Sequence, residues 1–340
     1  MKLRIEDLHL SFFGHTECLH AISMELQEGI HAVYGGVGAG KTALLKCIAG
    51  INEYTGSITL DGEPLVANKQ AQNVGMVFDD LALFGRRSAY YNLTYPLRIR
   101  KIPRAEWEQR LAAPLEAWGL QRLFLDTQVF RLPKETQVRL ALARASLFEK
   151  PVLLLDNPLG GLNPDSRRVL FHLLHRHMRT HKGIVMYATD DASELLALGA
   201  PVAVLSSGYL VGNGELVALQ ENPPCLLVAQ RLNAHYSALE IKVEEGKALL
   251  GDWSFALPYP TAYEGKTLVL GVKAEDWTKA DEGLEGIIYH TAHTKDGYLV
   301  FLHTAVGDIA VCANEEWEGK VYVRPEAVQL YDLANELRIG

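Results

Sequence analysis

The chain has 340 residues, 48% of them apolar and 22% charged, with a net charge of −8 at neutral pH. That is chain enough for two or three globular domains, and the acidic balance argues against bulk electrostatic binding to nucleic acid or to an anionic bilayer. Cys18, Cys47, Cys225 and Cys312 are scattered without paired spacing, which argues against a zinc site or a disulfide framework and for a reducing cytosol. The Met1–Asp7 start has no apolar signal core and no apolar run is long enough to span a bilayer, so any membrane role is expected to pass through a partner.

Apolar and polar residues alternate from Met1 to about Glu28, the pattern of half-buried strands. The apolar run Ile30-His31-Ala32-Val33-Tyr34 reads as a strand feeding Gly35-Gly36-Val37-Gly38-Ala39-Gly40-Lys41-Thr42, and Ala43 to Ala49 leaves that loop as a helix. Gly56 to Glu63 reads as a strand and turn. Between about Ser88 and Glu149 the character becomes helical. Ala105 to Leu111 follows a start signal at Pro103, and Gln137 to Leu147 is rich in Ala and Leu. Pro151 to Asp156 is a continuous apolar run of the fully buried kind, and Ile184 to Ala188 and Val202 to Leu205 follow it in alternation with helices, the signature of a mostly parallel α/β sheet. Beyond about Asn233 the pattern changes to short strands and turns, as in Lys266 to Val272, Tyr298 to His303, Ile309 to Cys312 and Lys320 to Val323, which predicts a separate all-β domain. The expected domains are therefore 1–232, with a helical subdomain at about 88–149, and 233–340.

The glycine run carries the chemistry. Glycines let consecutive N–H groups converge on phosphate oxygens without Cβ clashes; Lys41 would reach the β- and γ-phosphates, and the Thr42 hydroxyl would ligate Mg²⁺. A glycine turn that merely joins a strand to a helix is the alternative. Asp156, at the end of an apolar strand downstream, supplies the carboxylate that would hold the hydration shell of the metal.

Leu153-Leu154-Leu155-Asp156-Asn157-Pro158-Leu159-Gly160-Gly161-Leu162-Asn163 resembles the Walker B strand and D-loop of ATP-binding cassette (ABC) transporter ATPases. Nearly the whole chain is similar to the ATPase subunit of maltose-type sugar importers. Phe13 falls where that family stacks an aromatic ring on adenine, Met76 to Phe84 resembles its Q-loop, and Arg139 to Ala145 the helix after its signature. Leu270 to Glu275 and Val323 to Glu326, each preceded by Glu-Gly-Lys, look like strand motifs of its regulatory tandem OB-like domain. The resemblance implies an α/β P-loop (RecA-like) nucleotide-binding domain with a helical insertion, followed by an all-β OB-like regulatory domain. It implies ATP and Mg²⁺ as cofactors, with Gly35 to Thr42 and Ala43 around the nucleotide.

The departures cluster at the hydrolytic apparatus. Asp79 stands where the family has the Q-loop glutamine, Leu132-Pro133-Lys134-Glu135-Thr136 where it has Leu-Ser-Gly-Gly-Gln, Asn157 in place of the general-base glutamate, Asn163 in place of the D-loop aspartate, and Asp190 in place of the switch histidine. An amide orients a water but cannot accept its proton, and loss of a positioned base costs roughly 10² to 10⁴ in rate. A carboxylate at Asp190 cannot donate to a phosphate. Pro133 has no N–H, and Lys134 and Glu135 put bulk where the signature backbone approaches ATP across the dimer.

Because the family works as head-to-tail dimers, the expectation is a heterodimer in which this subunit binds ATP while a paralogous intact ATPase hydrolyses, with Lys134 and Glu135 modifying the partner's site. The resemblance further implies two transmembrane permeases, an extracellular solute-binding protein, no nucleic acid, and a place at the cytoplasmic face of the membrane. A nucleotide-binding regulator or scaffold released from transport is the alternative; a P-loop kinase is disfavoured by the long helical insertion. Leu83-Phe84 read either as ordinary core or as part of the groove that takes a permease's coupling helix. Trp107 and Trp118 read as packing anchors, and His172, His175, His177 and His181 as a solvated helix face rather than a metal site.

Overall fold

The structure is a computed structural model that describes residues 1–12, 16–65, 73–256 and 263–339. The chain divides into two compact units, Met1–Glu215 and Leu216–Gly340.

The first unit holds two sheets. Strands β1 (Lys2–Phe12), β2 (Thr16–Gln27), β4 (Thr55–Leu60) and β5 (Glu63–Pro64) form an antiparallel sheet in the order β2-β1-β4-β5. The second sheet runs in the order β10-β9-β3-β8-β7-β6, from β3 (Gly29–Tyr34), β6 (Val74–Val77), β7 (Val152–Asp156), β8 (Ile184–Thr189), β9 (Val202–Ser206) and β10 (Tyr209–Gly214). All its pairings are parallel except β9 with β10. Strands β7 and β8 are buried at every position, which is why their sequences run apolar without alternation. Helix α1 (Lys41–Ile48) packs Leu44, Leu45 and Ile48 into one core with Leu3 and Ile5 of β1 and Val152, Leu154 and Met186 of the parallel sheet. Cys47 on the same helix is fully buried, and burial pushes its thiol up to about 12.

Helices α2 (Ala89–Ile99), α3 (Trp107–Ala117) and α4 (Lys134–Ala145) make the helical insertion between β6 and β7. Ser88 caps α2 by accepting the Tyr91 N–H at 3.1 Å, the role its hydroxyl is suited to. Helix α4 begins three residues before the predicted Gln137, because Pro133 holds φ −53° and ψ 147° as its N-cap and fixes the start there. Trp107 is 5% exposed and Trp118 fully buried; their indole N–H groups donate to the Ile102 carbonyl at 3.0 Å and to Ser146 Oγ at 2.8 Å. Both are anchors of the insertion.

Helix α5 (Pro164–Met178) follows β7, with Asn163 as a cap that accepts the Ser166 N–H at 2.9 Å; α6 (Ala192–Leu198) follows β8. The expected solvated histidine face is corrected here. Only His172 is exposed. His177 stands three and four residues after Leu174 and Leu173 on the buried stripe of α5, its ring 4.9 Å from that of Trp118. His181 lies beyond the helix end and stacks on His177 at 5.6 Å, and His175 Nε2 bonds the Ala197 carbonyl at 2.8 Å. Burial lowers the His177 pKa to about 4.

The second unit opens with α7 (Leu216–Glu221) and α8 (Leu226–Leu232), upstream of the 232/233 boundary read from sequence, since Leu226 and Ala229 pack with Val269 and Tyr331 of its strands. Two five-stranded antiparallel sheets follow. One, in the order β13-β12-β11-β14-β20, contains β11 (Ser237–Glu244), β12 (Lys247–Leu250), β13 (Trp253–Ala256), β14 (Thr267–Val272) and β20 (Gln329–Asp332). The other, in the order β15-β19-β16-β17-β18, contains β15 (Trp277–Ala280), β16 (Leu284–Thr294), β17 (Gly297–Thr304), β18 (Gly307–Ala313) and β19 (Lys320–Pro325). Leu239, Ile241, Leu270, Val300, Leu302 and Val323 share one core drawn from both sheets.

Candidate nucleotide site

The loop from Gly35 to Gly40 leaves the carboxyl end of β3 and enters α1 at Lys41, the position at which open α/β sheets bind ligands. Gly38 and Gly40 take φ 79° and 103°, angles that L side chains rarely adopt. A Cβ on Gly35 would stand 2.5 Å from the Leu205 carbonyl oxygen and 2.8 Å from the Ala39 methyl. No side chain caps α1, so its first N–H groups face the loop rather than a cap. Val37 is 95% exposed at the tip, Gly36 is half-buried, Ala39 is buried and Ala43 packs against the core. Lys41 Nζ donates to the carbonyls of Gly35 at 2.7 Å and Gly36 at 3.0 Å, which holds its ammonium over the loop.

Thr42 Oγ1 donates to Asp156 Oδ1 at 3.1 Å across 114 residues of sequence. Two hard oxygens placed together at the end of β7 supply part of the oxygen donor set that a magnesium ion takes alongside waters and phosphates, so these residues fit the metal that the loop chemistry implies. Asp156 is 2% exposed. Burial raises its pKa first, the Thr42 hydrogen bond opposes this, and Asp79 adds a repulsive contribution. Asp79 therefore lies within electrostatic reach of Asp156 although it is exposed to solvent.

Asn157 takes φ 43°, a left-handed backbone that Asn tolerates better than most residues. Its N–H donates to the Ala188 carbonyl at 2.9 Å, joining the ends of β7 and β8. Its side chain lies over Gly160, where an added Cβ would stand 2.7 Å from Nδ2. Asp190, just past β8, is exposed. The charge cluster behind it was missed by sequence reading. Glu194 is 2% exposed and accepts Thr189 Oγ1 at 2.6 Å and Tyr187 OH at 3.0 Å, with Arg167 at 3.9 Å. Burial raises its pKa against those hydrogen bonds. Arg167 also pairs with Asp191, which caps α6. An acidic residue four positions after Asp190 on a short amphipathic helix was the one available signal.

Leu132 is buried, Pro133 and Lys134 are exposed, and Thr136 is half-buried. The Glu135 carboxylate accepts Ser166 Oγ at 2.7 Å and Arg139 Nη2 at 2.5 Å, and the serine hydroxyl is the main cause of its lowered pKa. Glu135 is therefore engaged by α5 of its own chain. The segment after Asp79 is tied to α4: Arg144 donates to the carbonyls of Leu81 at 2.8 Å and Ala82 at 2.7 Å, residues at φ 62° and 43°. Leu83 is half-buried and Phe84 is 40% exposed, edge-on to Tyr91 and Tyr95. Phe13 lies outside the described residues.

A glycine cradle at the end of a parallel strand, with a threonine and a buried aspartate meeting beside it, defines a P-loop nucleotide-binding protein. Residues 19–160 match the family model of the ABC transporter, so that stretch carries an ABC transporter domain. Among curated relatives, the sn-glycerol-3-phosphate import ATP-binding protein UgpC of Bordetella avium (strain 197N) is 28% identical over 83% of this chain and 80% of its own length. The trehalose/maltose import ATP-binding protein MalK of Thermococcus litoralis is 28% identical over 78% and 76%. The Fe(3+) ions import ATP-binding protein FbpC of Escherichia coli (strain K12) is 29% identical over 85% and 84%. Among solved structures, cbiO1 from Clostridium perfringens, part of the ABC transporter complex cbiONQ, superposes with a TM-score of 0.57 at 25% identity, covering 65% of this chain and 95% of its own. No helix among the described residues is long and apolar enough to cross a membrane.

Proposed function

We propose that this chain is the ATP-binding subunit of an ABC importer for sugars or related polyols, that it grips Mg²⁺-ATP but hydrolyses it poorly, and that it works paired with an intact ATPase subunit. One observation carries the reading: the position beside the buried Asp156 is filled by Asn157, whose amide lies against Gly160, while Gly35 to Thr42 keep the glycines, lysine and threonine that a phosphate-binding loop uses. Gly35 to Gly40, Lys41, Thr42 and Ala43 hold the phosphates, Thr42 and Asp156 hold the metal, and Mg²⁺ supplies charge neutralisation at the phosphates when bound. Asn157 orients a water without taking its proton, and Asp190 and Asp79 add negative charge where a phosphoryl group would need positive charge. Pro133, which lacks an N–H, and the exposed Lys134 face outward from the start of α4.

On this reading the subunit sits at the cytoplasmic face of the membrane against two permeases, with Phe84, Tyr91 and Tyr95 as part of the docking surface, and a solute-binding protein delivers substrate from outside. The second unit, Leu216–Gly340, acts as an OB-like regulatory domain. The importer names of UgpC and MalK support the sugar or polyol assignment, and the same relationship to FbpC makes substrate the property to be measured. Purified chain should bind ATP in the presence of Mg²⁺ and release phosphate very slowly alone; steady-state phosphate release matching an ordinary importer ATPase overturns the proposal. Co-purification with two membrane proteins separates it from a free regulator.

A further inference from the structure

The second unit contains a cavity of about 620 Å³ onto which Trp253 of β13 and Tyr322 of β19 open. Small-molecule sites span roughly 300 to 1,000 Å³. Leu250, Leu284 and Ile287 supply apolar wall, and Ile287 and Tyr322 are 56% and 37% exposed, large apolar surfaces left facing solvent.

Its ionic lining is one-sided. Asp252, Asp281, Glu282 and Glu285 all border the cavity. Lys320 pairs with Glu285 at 2.6 Å and Arg324 with Glu282 at 3.5 Å. Asp252 and Asp281 have no hydrogen bond or ion pair among the described residues. The cavity's histidine, His303, is already hydrogen-bonded to Asp308, Nδ1 to Oδ1 at 2.7 Å. The chain displays at one wall how a cation is held here: the Arg324 guanidinium donates to the Glu282 carbonyl and lies 5.9 Å from the centre of the Trp253 ring, the distance at which an aromatic face attracts a cation. No group of three or more metal-ligating side chains converges among the described residues, so a bare metal ion is not the occupant. The excess of carboxylates repels an anion.

We infer that this cavity binds a small organic ammonium ion, its charge paired with Asp252 and Asp281 and its carbon skeleton set against Trp253, Ile287 and Tyr322. A neutral sugar has no use for two unpaired carboxylates, whereas an alkylammonium satisfies them and covers the exposed apolar wall together. Occupancy gives the second unit a means to sense a metabolite independently of nucleotide.

The test is calorimetric titration of the full-length chain with 1,4-diaminobutane, and separately with maltose. Saturable binding of the diamine at one site per chain is expected, weakened about fivefold to tenfold for each of Asp252→Asn and Asp281→Asn, since each removes one ion-pair interaction worth about 1 kcal/mol near water. Glu53→Gln, an exposed carboxylate of the first unit, should leave it unchanged. Absence of saturation at millimolar diamine, equal weakening by Glu53→Gln, or binding of maltose with the same dependence on the two aspartates overturns the assignment. No nucleotide enters the measurement, so its outcome is independent of the proposed importer function.

Discussion

Replacing Asp156 with Asn separates the fold from the grip on nucleotide. The side chain is 2% exposed and touches Thr42 Oγ1 at 3.1 Å. An amide of equal volume keeps an oxygen for that hydroxyl and removes a buried negative charge whose ionised form is disfavoured by burial. Because burial raises the folded-state pKa, the penalty builds as pH rises and vanishes in acid. The apo variant should therefore melt at or above the parent temperature at pH 7. Binding should suffer instead. At ATP a hundredfold above its dissociation constant the parent gains about 2.7 kcal/mol, a rise of about 5–10 °C for a unit of this size. A hundredfold loss of affinity through the metal leaves about 0.4 kcal/mol, or about 1 °C. Differential scanning calorimetry with and without Mg²⁺-ATP measures both quantities. An equal ATP-induced rise in parent and variant refutes the role given to Asp156, and an apo variant that melts well below the parent refutes the electrostatic argument.

Gly35→Ala should abolish ATP binding in a fluorescent-nucleotide titration, because its methyl group would meet the Leu205 carbonyl at 2.5 Å and the Ala39 methyl at 2.8 Å; retained affinity within about threefold contradicts the cradle geometry. Glu135→Ala frees Ser166 and Arg139 and should lower the thermal midpoint by about 2–4 °C at pH 7. The lowered Glu135 pKa makes that contribution present above the unfolded value and lost in acid, so the gap between parent and variant should close towards pH 3. His177, with its pKa depressed to about 4 by burial, contributes fully above pH 6.5 and progressively less as pH falls towards 4. Urea midpoints of the parent should drop between pH 7 and pH 5, and those of His177→Gln should drop less; parallel curves tell against a neutral buried imidazole.

Motifs made of neighbouring residues were legible in the sequence. The phosphate loop and the Val-Leu-Leu-Leu-Asp run of β7 announce themselves because each encodes its geometry locally: left-handed angles at Gly38 and Gly40, and burial on both faces at β7. What escaped depends on partners far along the chain. Glu194 looks like a helix-surface acid until the buried Tyr187 and Thr189 hydroxyls are seen to face it. His177 looks solvated until Trp118, just past the end of α3, covers it. The early start of the second unit was hidden for the same reason, since the apolar stripe of α8 continues the helical pattern of the first unit and only β14 and β20 show where it belongs.

The clasp of Arg144 on the Leu81 and Ala82 carbonyls makes α4 and the strand-exit segment bearing Asp79 a single mechanical part. A force that tilts the helical insertion is transmitted to Asp79 through two hydrogen bonds rather than dissipated in a slack tether. Amide hydrogens of the segment and of the helix should then exchange with solvent at a common rate, opening together as one cooperative block.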